Sequence, residues 1–390
     1  MNFFGKSKEK DKLMAVFDIG SFSVGGALFY KTKSGVPRIV FSVREFINLE
    51  KEFIPDNFFN LTLKSLSIVA SKLHKSGLGA PDKFFCVLSS PWYESEIRTI
   101  NLKKNVPFVF NMKLANSMIE KGITLFKEEC AKKNEKENSN MIPIELKSMK
   151  TTLNGYTVSN LFDQKAKEVE MSVFVSLSHE QILKRIEDTL KKHFLFENLK
   201  FSSFTMASFT VARDMFMSHE DFFLINLGGE ITDISMVKKD VLKESISFPV
   251  GHNFIIRGVA KTLNCSLSEA ESLISLYKEG HMAESALKEF DPVIDKFKKE
   301  WLQHFQNSLA NISNDISIPA TIFITADLNF SEFFCQIIKS EEFSQHTMTE
   351  SEFKVVFLGT QALHGIAIEE NIARDPFITI ESVYINRFLN

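Results

Sequence analysis

The chain has 390 residues, of which 44% are apolar and 24% charged, with a formal net charge of −3. That length is too great for one hydrophobic core and the mixture is that of a folded protein, so two or more subdomains are expected and a disordered chain is excluded. The near-neutral balance supplies no field for nucleic acid, and no apolar run approaches the roughly 20 residues that span a bilayer.

Cys86, Cys130, Cys265 and Cys335 are scattered without Cys-x-x-Cys spacing, which indicates neither zinc nor a disulfide framework. Phenylalanine is abundant (39 residues) and falls mostly in strand-like runs, so it reads as core rather than binding platform. No signal peptide is evident, and a cytoplasmic protein is expected. Residues 1–12 (MNFFGKSKEKDK) read as a flexible, solvated tail. Its lysines give at most a weak attraction to an anionic membrane, about 1 kcal/mol each.

The first patterned stretch is LMAVFDIGSFSVGGALFY, residues 13–30. An apolar strand reaches Asp18, then Gly20, then the hydroxyls of Ser21 and Ser23, and a second apolar strand follows. Pro37–Ile47 reads as a third strand. Asp56–Lys75 carries Phe59, Leu63, Leu66, Val69 and Leu73 on one helical face and is ended by Gly77 and Gly79. Lys83–Ser90 is a buried strand, which completes a β-β-β-α-β unit. Residues 91–177 change character. They hold a strand bent at Pro107, a helix over Met112–Lys132, a charged Asn-rich loop (KKNEKENSN), a hairpin at Asn154-Gly155 and a long alternating strand over Glu168–Leu177. Asn-Gly is the favoured type I′ turn pair. Ser178 and Gln181 have capping-box spacing for a helix over Glu180–His193, with His179 and His193 as helix-end residues rather than ligands.

A strand near Leu199–Ser203 and a helix over Ala207–Met217 lead to the second patterned stretch, residues 221–251, DFFLINLGGEITDISMVKKDVLKESISFPVG. An apolar strand again reaches a polar residue, Asn226, then Gly228 and Gly229, then Thr232 and Asp233 at the start of the next strand. Adjacent glycines at a strand reversal bring bare amides close to a ligand. Thr232 adds a hydroxyl, and Asp233 a carboxylate for a metal-bound water. This is a phosphate-gripping layout without a Walker lysine. An ordinary Gly-containing hairpin has the same look, and the repetition is what favours a ligand. Beyond it, helices are expected over Asn253–Leu263 and, capped at Ser266–Glu269, up to Tyr277. A helical arm bent near Pro292 covers 281–314. A strand over Ala320–Thr325, a helix over Leu328–Lys339, a strand over Glu352–Leu358 and a helix over Gln361–Ile368 follow. The final FITIESVYINRFLN fits either strand or helix.

The paired hairpins resemble the phosphate loops of the actin-like ATPase superfamily, nearest the bacterial branch of the division protein FtsA and the pilus-assembly protein PilM. The resemblance implies an α/β fold, a duplicated ribonuclease-H-like core with two lobes around a nucleotide cleft and an inserted small α+β subdomain. Residues 13–90 and 178–205 would form the first lobe, 206–390 the second with a helical arm over 252–314, and 91–177 the insertion. The LNGY turn and the strand that follows resemble the FtsA/PilM subdomain in particular. ATP and Mg2+ are implied between the lobes. Asp18 would hold the metal through water, with Gly20, Ser21, Ser23, Asn226, Gly228, Gly229, Thr232 and Asp233 around the phosphates and Glu271 at the ribose.

Several positions depart from that pattern. Asn226 stands where the family has aspartate, and Ile274 where it has lysine. The adenosine loop reads Ala326-Asp327-Leu328-Asn329, without glycine, and Phe204 and Thr205 stand where an acid near the attacking water is usual. A side chain in the glycine space costs roughly 1–3 kcal/mol and a lost charge-assisted hydrogen bond about 1.5–3, on the order of 100-fold or more in affinity together. No residue reads as catalytic, so the chain is at most a weak ATPase with ATP and Mg2+ weakly held or lost. The expected role is a PilM-like scaffold at the inner face of the cytoplasmic membrane, taking a short cytoplasmic peptide of an inner-membrane assembly protein and peripheral to the membrane at most. Self-association, or an FtsA-like division protein that binds FtsZ, is an alternative. FtsA's basic anchoring helix is not evident, because Arg387 is the only basic residue in the last fifteen. A sugar or acetate kinase shares the core, yet no catalytic aspartate or substrate grip is apparent.

Overall fold

The computed structural model describes residues 11–133, 140–158, 161–312, 318–339, 353–370 and 372–389. Residues 1–10 of the expected tail, 134–139 of the Asn-rich loop, 313–314 of the helical arm and the start of the strand expected at 352 lie outside them.

Two sheets repeat one design. β1 (Lys12–Ile19), β2 (Ser23–Lys31) and β3 (Arg38–Phe46) form an antiparallel meander. The chain crosses over through α1 (Pro55–His74), and β4 (Lys83–Leu88) and later β9 (Leu199–Ser203) add in parallel. The order β3-β2-β1-β4-β9 recurs in β12 (Val241–Phe248), β11 (Thr232–Lys238), β10 (Phe222–Leu227), β13 (Thr321–Ala326) and β14 (Lys354–Phe357). Its pairings are the same, antiparallel in the meander and parallel beyond it. This is a duplicated ribonuclease-H-like core. The first sheet has one extra edge strand, β15 (Ile368–Glu369), beside β3.

Both faces of the central strands are covered, which is why they are apolar runs rather than alternating ones. In β1, Leu13, Ala15, Phe17 and Ile19 pack with α1 and α3 (Glu180–Lys191). Met14 and Val16 point the other way, into a layer made by α4 (Phe204–Met215) and α9 (Pro376–Phe388). The same layer meets Phe222 and Leu224 of β10 and Phe323 of β13, so the two helices are shared by both sheets. Behind the second sheet, α5 (His252–Thr262), α6 (Leu267–Lys278), α7 (Glu284–Ile312) and α8 (Leu328–Lys339) enclose Trp301, which is fully buried.

The segment between β4 and α3 makes a sheet of its own. Its order is β5 (Glu94–Phe110), β8 (Gln164–His179), β6 (Met141–Leu153) and β7 (Tyr156–Thr157), and α2 (Met112–Lys133) packs against it. Asn154 and Gly155 turn β6 into β7 at φ 51° and 82°, as a type I′ turn requires. Glu145 on β6 fastens this sheet to the core. Its Oε2 accepts from the backbone N–H and the hydroxyl of Ser203, at 3.0 and 2.7 Å, and its Oε1 accepts from the hydroxyl of Tyr384. Ser203 is the N-cap of α4 and Tyr384 lies on α9, so one carboxylate joins three elements.

Two local expectations change, and one alternative left open is decided. The helix expected at Gln361–Ile368 is a run of turns leading into β15, with Gly365 in the left-handed region at φ 83°. Ser178 does not cap α3. Its hydroxyl donates to the Trp92 carbonyl at 2.7 Å, and His179 takes the N-cap position without a side-chain bond. Within the C-terminal segment, Pro376–Phe388 are helical, because Asp375 accepts from the amides of Phe377 and Ile378 and Pro376 opens the first turn. That Asp-Pro pair is a helix-start signal carried by the sequence.

Glu145→Ala strips three buried donors of their acceptor. It is expected to lower the unfolding free energy by about 3–5 kcal/mol, with Glu145→Gln costing less because an acceptor oxygen remains. Urea unfolding checks this, and a loss under about 1 kcal/mol would contradict the role given to Glu145.

Candidate functional site

The β1–β2 and β10–β11 turns meet between the two sheets. Gly20 N–H donates to the Ser23 carbonyl at 3.2 Å and Gly228 N–H to the Ile231 carbonyl at 2.9 Å, closing two equivalent tight turns. They touch directly, since Glu230 N–H donates to Ser21 Oγ at 3.2 Å. A Cβ on Gly229 would stand 2.4 Å from the Ser21 carbonyl oxygen, so only glycine allows this approach. The first amides of α5, at His252 and Asn253, donate to the carbonyls of Gly228 and Gly229 at 3.2 and 2.9 Å.

The polar side chains expected at the ligand already have protein partners. Thr232 Oγ1 donates to the Val250 carbonyl at 2.7 Å and accepts from Trp301 Nε1 at 3.2 Å. Asp233 Oδ1 accepts from Ser90 and Ser247 at 2.7 and 2.6 Å, and burial pushes its carboxyl up. Asn226 accepts from the Thr325 hydroxyl at 3.2 Å. Ser23 Oγ accepts from Arg44 at 2.8 Å.

Arg44 dominates the space that remains. On β3 it pairs with Gly25 of β2, and a Cβ at Gly25 would meet its guanidinium at 2.7 Å. The guanidinium therefore crosses the strand where a side chain is missing. Its Nη2 lies 2.7 Å from Asp18 Oδ2. Its Nε and Nη2 donate to the two oxygens of Asp375 at 2.7 and 3.0 Å. Asp18 is 2% exposed and Glu381 of α9 0%. Apart from each other, Asp18 Oδ1 and the two Glu381 oxygens find no hydrogen-bond partner. Burial and the negative charges of Asp18 and Asp375 hold the Glu381 carboxyl well above the usual carboxylate range, so it keeps a proton to share with Asp18. Burial raises Asp18 as well, with the Arg44 charge pulling against it.

The cavity lined by Asp18, Ser21, Arg44, Gly228 and His252 holds about 30 Å³. That admits about one or two waters, where small-molecule sites run to roughly 300–1,000 Å³. His252 fills the mouth, edge-on to Phe22 at 4.2 Å and stacked on Phe330 at 4.5 Å. Burial pushes its imidazole down to about 3, so the ring is neutral. Magnesium keeps several of its waters when protein-bound, and Arg44 already sets a positive charge against Asp18. A hydrated magnesium ion with a triphosphate does not fit between these turns as they stand.

Beyond Phe22 and Phe330 lies a second cavity of about 500 Å³, which Phe46, Leu49, Glu271, Ile274 and Lys278 help to line. Glu271 is exposed, while Ile274 is core. Lys278 donates to the Asn329 carbonyl and lies 4.7 Å from the centre of the Phe330 ring. The 326–329 segment needs no glycine because it starts α8, with Asp327 accepting from the Asn329 amide at 2.9 Å. Phe204 is core, and Thr205 is paired with the Tyr93 hydroxyl at 2.7 Å.

The fold thus brings Asp18, Gly20, Ser21, Ser23, Asn226, Gly228 and Gly229 together, sets Thr232 and Asp233 behind them, and leaves Glu271 at the outer cavity. Sequence reasoning missed Arg44, Asp375, Glu381 and the aromatic stack at His252. Signals existed for some of them. Gly25-Gly26 inside a strand marks a close approach, and Glu381 is the only acid in a long apolar run.

No protein-family model matches this chain, and no curated protein matches it in sequence. Among solved structures it is similar to the PilM–PilN type IV pilus biogenesis complex. The identity is 10%, the match covers 97% of this chain and 98% of that one, and the TM-score is 0.60. The fold is actin-like, in the form PilM has. Two more distant likenesses carry no argument at their scores. One is the ethanolamine utilization protein EutJ from Carboxydothermus hydrogenoformans (12% identity, 89% and 84% coverage, TM-score 0.42). The other is a Bacteroides thetaiotaomicron protein described as having an actin-like ATPase fold (10%, 98% and 98%, 0.43). The PilM likeness spans nearly the whole chain, so the β5–β8–β6–β7 sheet falls within it.

Glu381 gives a pH prediction. The unfolded chain releases this proton near the ordinary glutamate value of about 4.3, whereas the native state holds it to higher pH. Above that value the native state binds more protons, so this group's contribution to stability falls as pH rises toward its native pKa. Glu381→Gln removes the term and can still donate an N–H to Asp18. Relative to the parent protein, the variant should gain in thermal stability as pH rises above about 5, by up to about 1.4 kcal/mol per pH unit until the native carboxyl gives up its proton. A difference between the two proteins that does not change with pH would contradict it.

Proposed function

We propose that this protein is a PilM-like scaffold at the cytoplasmic face of a bacterial inner membrane. There it takes a short cytoplasmic segment of a membrane-anchored assembly protein and helps to build a type IV pilus-type machine. The observation that carries this reading is the end-to-end likeness to PilM in a complex with PilN. In this reading residues 91–177 are a docking module, and 13–90 with 178–205 and 206–390 are the lobes of the core. No helix among the described residues is long and apolar enough to cross a membrane, in keeping with attachment through a partner.

Nucleotide is secondary in this reading. Asp18, Gly20, Ser21, Ser23, Asn226, Gly228, Gly229, Thr232, Asp233 and Glu271 are the positions ATP and Mg2+ would contact, and we take both to be weakly held or lost. The small volume between the turns and the seat of Arg44 on Asp18 support this.

Two titrations test the reading. Peptides from the cytoplasmic segments of membrane-anchored pilus assembly proteins should bind saturably in the micromolar range, about 8 kcal/mol at 1 μM. Mg-ATP should give a dissociation constant no tighter than about 1 mM by calorimetry, about 4 kcal/mol. Low-micromolar Mg-ATP binding with phosphate release, and no peptide bound, would replace the scaffold with an ATPase.

A further inference from the structure

The sheet inserted between β4 and α3 ends on one side at β5, which pairs with β8 and with no other strand among the described residues. From Glu94 to Lys103 that pairing is one to one, so the opposite edge carries a regular row of backbone N–H and C=O groups. Such edges are normally guarded by charges, proline or a broken register, because they template pairing with another chain. In β5 the guards stand together at one end: Lys103, Lys104 and Pro107, with the register shifted between Lys103 and Phe108. Glu96–Leu102 lacks them. Its only charges, Glu96 and Arg98, pair with each other at 3.0 Å, and Arg98 also reaches Glu129 of α2. This stretch and α2 wall a cavity of about 480 Å³. Every residue from Glu96 to Leu102 lines it, whichever face its side chain takes, so the strand edge itself is the wall. Ile100 and Leu102 pack toward α2, and Ile97 toward the layer between the two main sheets. The helix wall is the stripe Leu114, Ser117, Lys121 and Leu125, with Leu125 exposed.

We propose that the groove between β5 and α2 takes an extended segment of a partner protein as an added strand beside β5. The segment is apolar at alternate positions and carries an acidic residue opposite Lys121. Main-chain bonds to the edge hold it, and alternate side chains enter between strand and helix. The strand wall runs for about 23 Å at roughly 3.3 Å per residue, which suits an extended chain rather than a compact ligand. Charge selects the partner. Lys121 has no acid three or four positions away on α2, and Arg98 already neutralises Glu96 and Glu129, so the wall offers one unmet positive charge. The proposal rests on the reading of residues 91–177 as a docking module and not on the pilus role.

The probe is a fluorescein-labelled synthetic decapeptide that alternates Val with polar residues, one of them a central Asp. It is titrated with the full chain by fluorescence polarisation. The parent should bind it saturably, with a dissociation constant of about 10–500 μM. Lys121→Glu, or Lys in place of the peptide's Asp, should weaken binding roughly tenfold. Ser117→Trp, at an exposed helix position, should fill the groove and abolish binding with circular dichroism unchanged. N-methylation of one alternate set of peptide residues should abolish binding and of the other set should not, because only one set of N–H groups faces β5. If Ser117→Trp disturbs the fold, Lys121→Glu and the two methylated peptides carry the test. No saturable binding by the parent up to about 1 mM, binding that survives a folded Ser117→Trp, or equal loss from both methylated sets overturns the proposal. None of these results touches the scaffold reading, which the titrations with membrane-protein segments decide, and failure of those titrations leaves binding of this probe as it is.

Discussion

A guanidinium taken out of water is tolerated only where its charge and its donors are met together, and Arg44 binds three separate elements by that requirement. Desolvating each ion costs several kcal/mol, and the return comes only with good geometry. Here the two-pronged contact with Asp375 fixes α9 against β3, and the contact with Asp18 fixes β3 against the end of β1. A second ion pair closes the other side. Arg257 of α5 holds Glu230 through two bonds of 2.7 and 2.8 Å, and its Nε donates to the Glu50 carbonyl beyond β3 at 2.8 Å. The opposed turns are thus clamped from both flanks by charges internal to the chain.

This packing gives the glycines of the two hairpins a reason that does not involve a ligand. Gly251 lies so near the β10–β11 turn that a Cβ there would sit 2.3 Å from the carbonyl oxygens of Gly228 and Gly229. Gly229 is held to the same standard by Ser21. Such positions are fixed by backbone meeting backbone, and they would stay glycine whatever passes through the cleft. The hydroxyls tell the same story, because Thr232 spans the Val250 carbonyl and the indole of Trp301.

Much of the fold could be read from the sequence because its signals are local. Continuous apolar runs mark strands covered on both faces, and the helix expected over Leu328–Lys339 is found over those residues. Asn154-Gly155 and the Ser266–Glu269 capping box act within a few residues of themselves and were legible for that reason. The site was legible only in outline. Arg44 and Asp375 are separated by 331 positions, and no periodicity couples them. The helix expected near Gln361 and the cap expected at Ser178 failed for the same cause. In each, a distant partner or an unforeseen turn outweighed a local preference.

The middle layer has a consequence for biosynthesis. α9 is among the last elements in the sequence, yet it packs with Met14 and Val16 of β1 as well as with the second sheet. Until Pro376–Phe388 have left the ribosome, the inner faces of both sheets lack that cover, and Asp18 and Arg44 wait for Asp375. A nascent chain of this design exposes apolar sheet surface until α9 emerges to cover it.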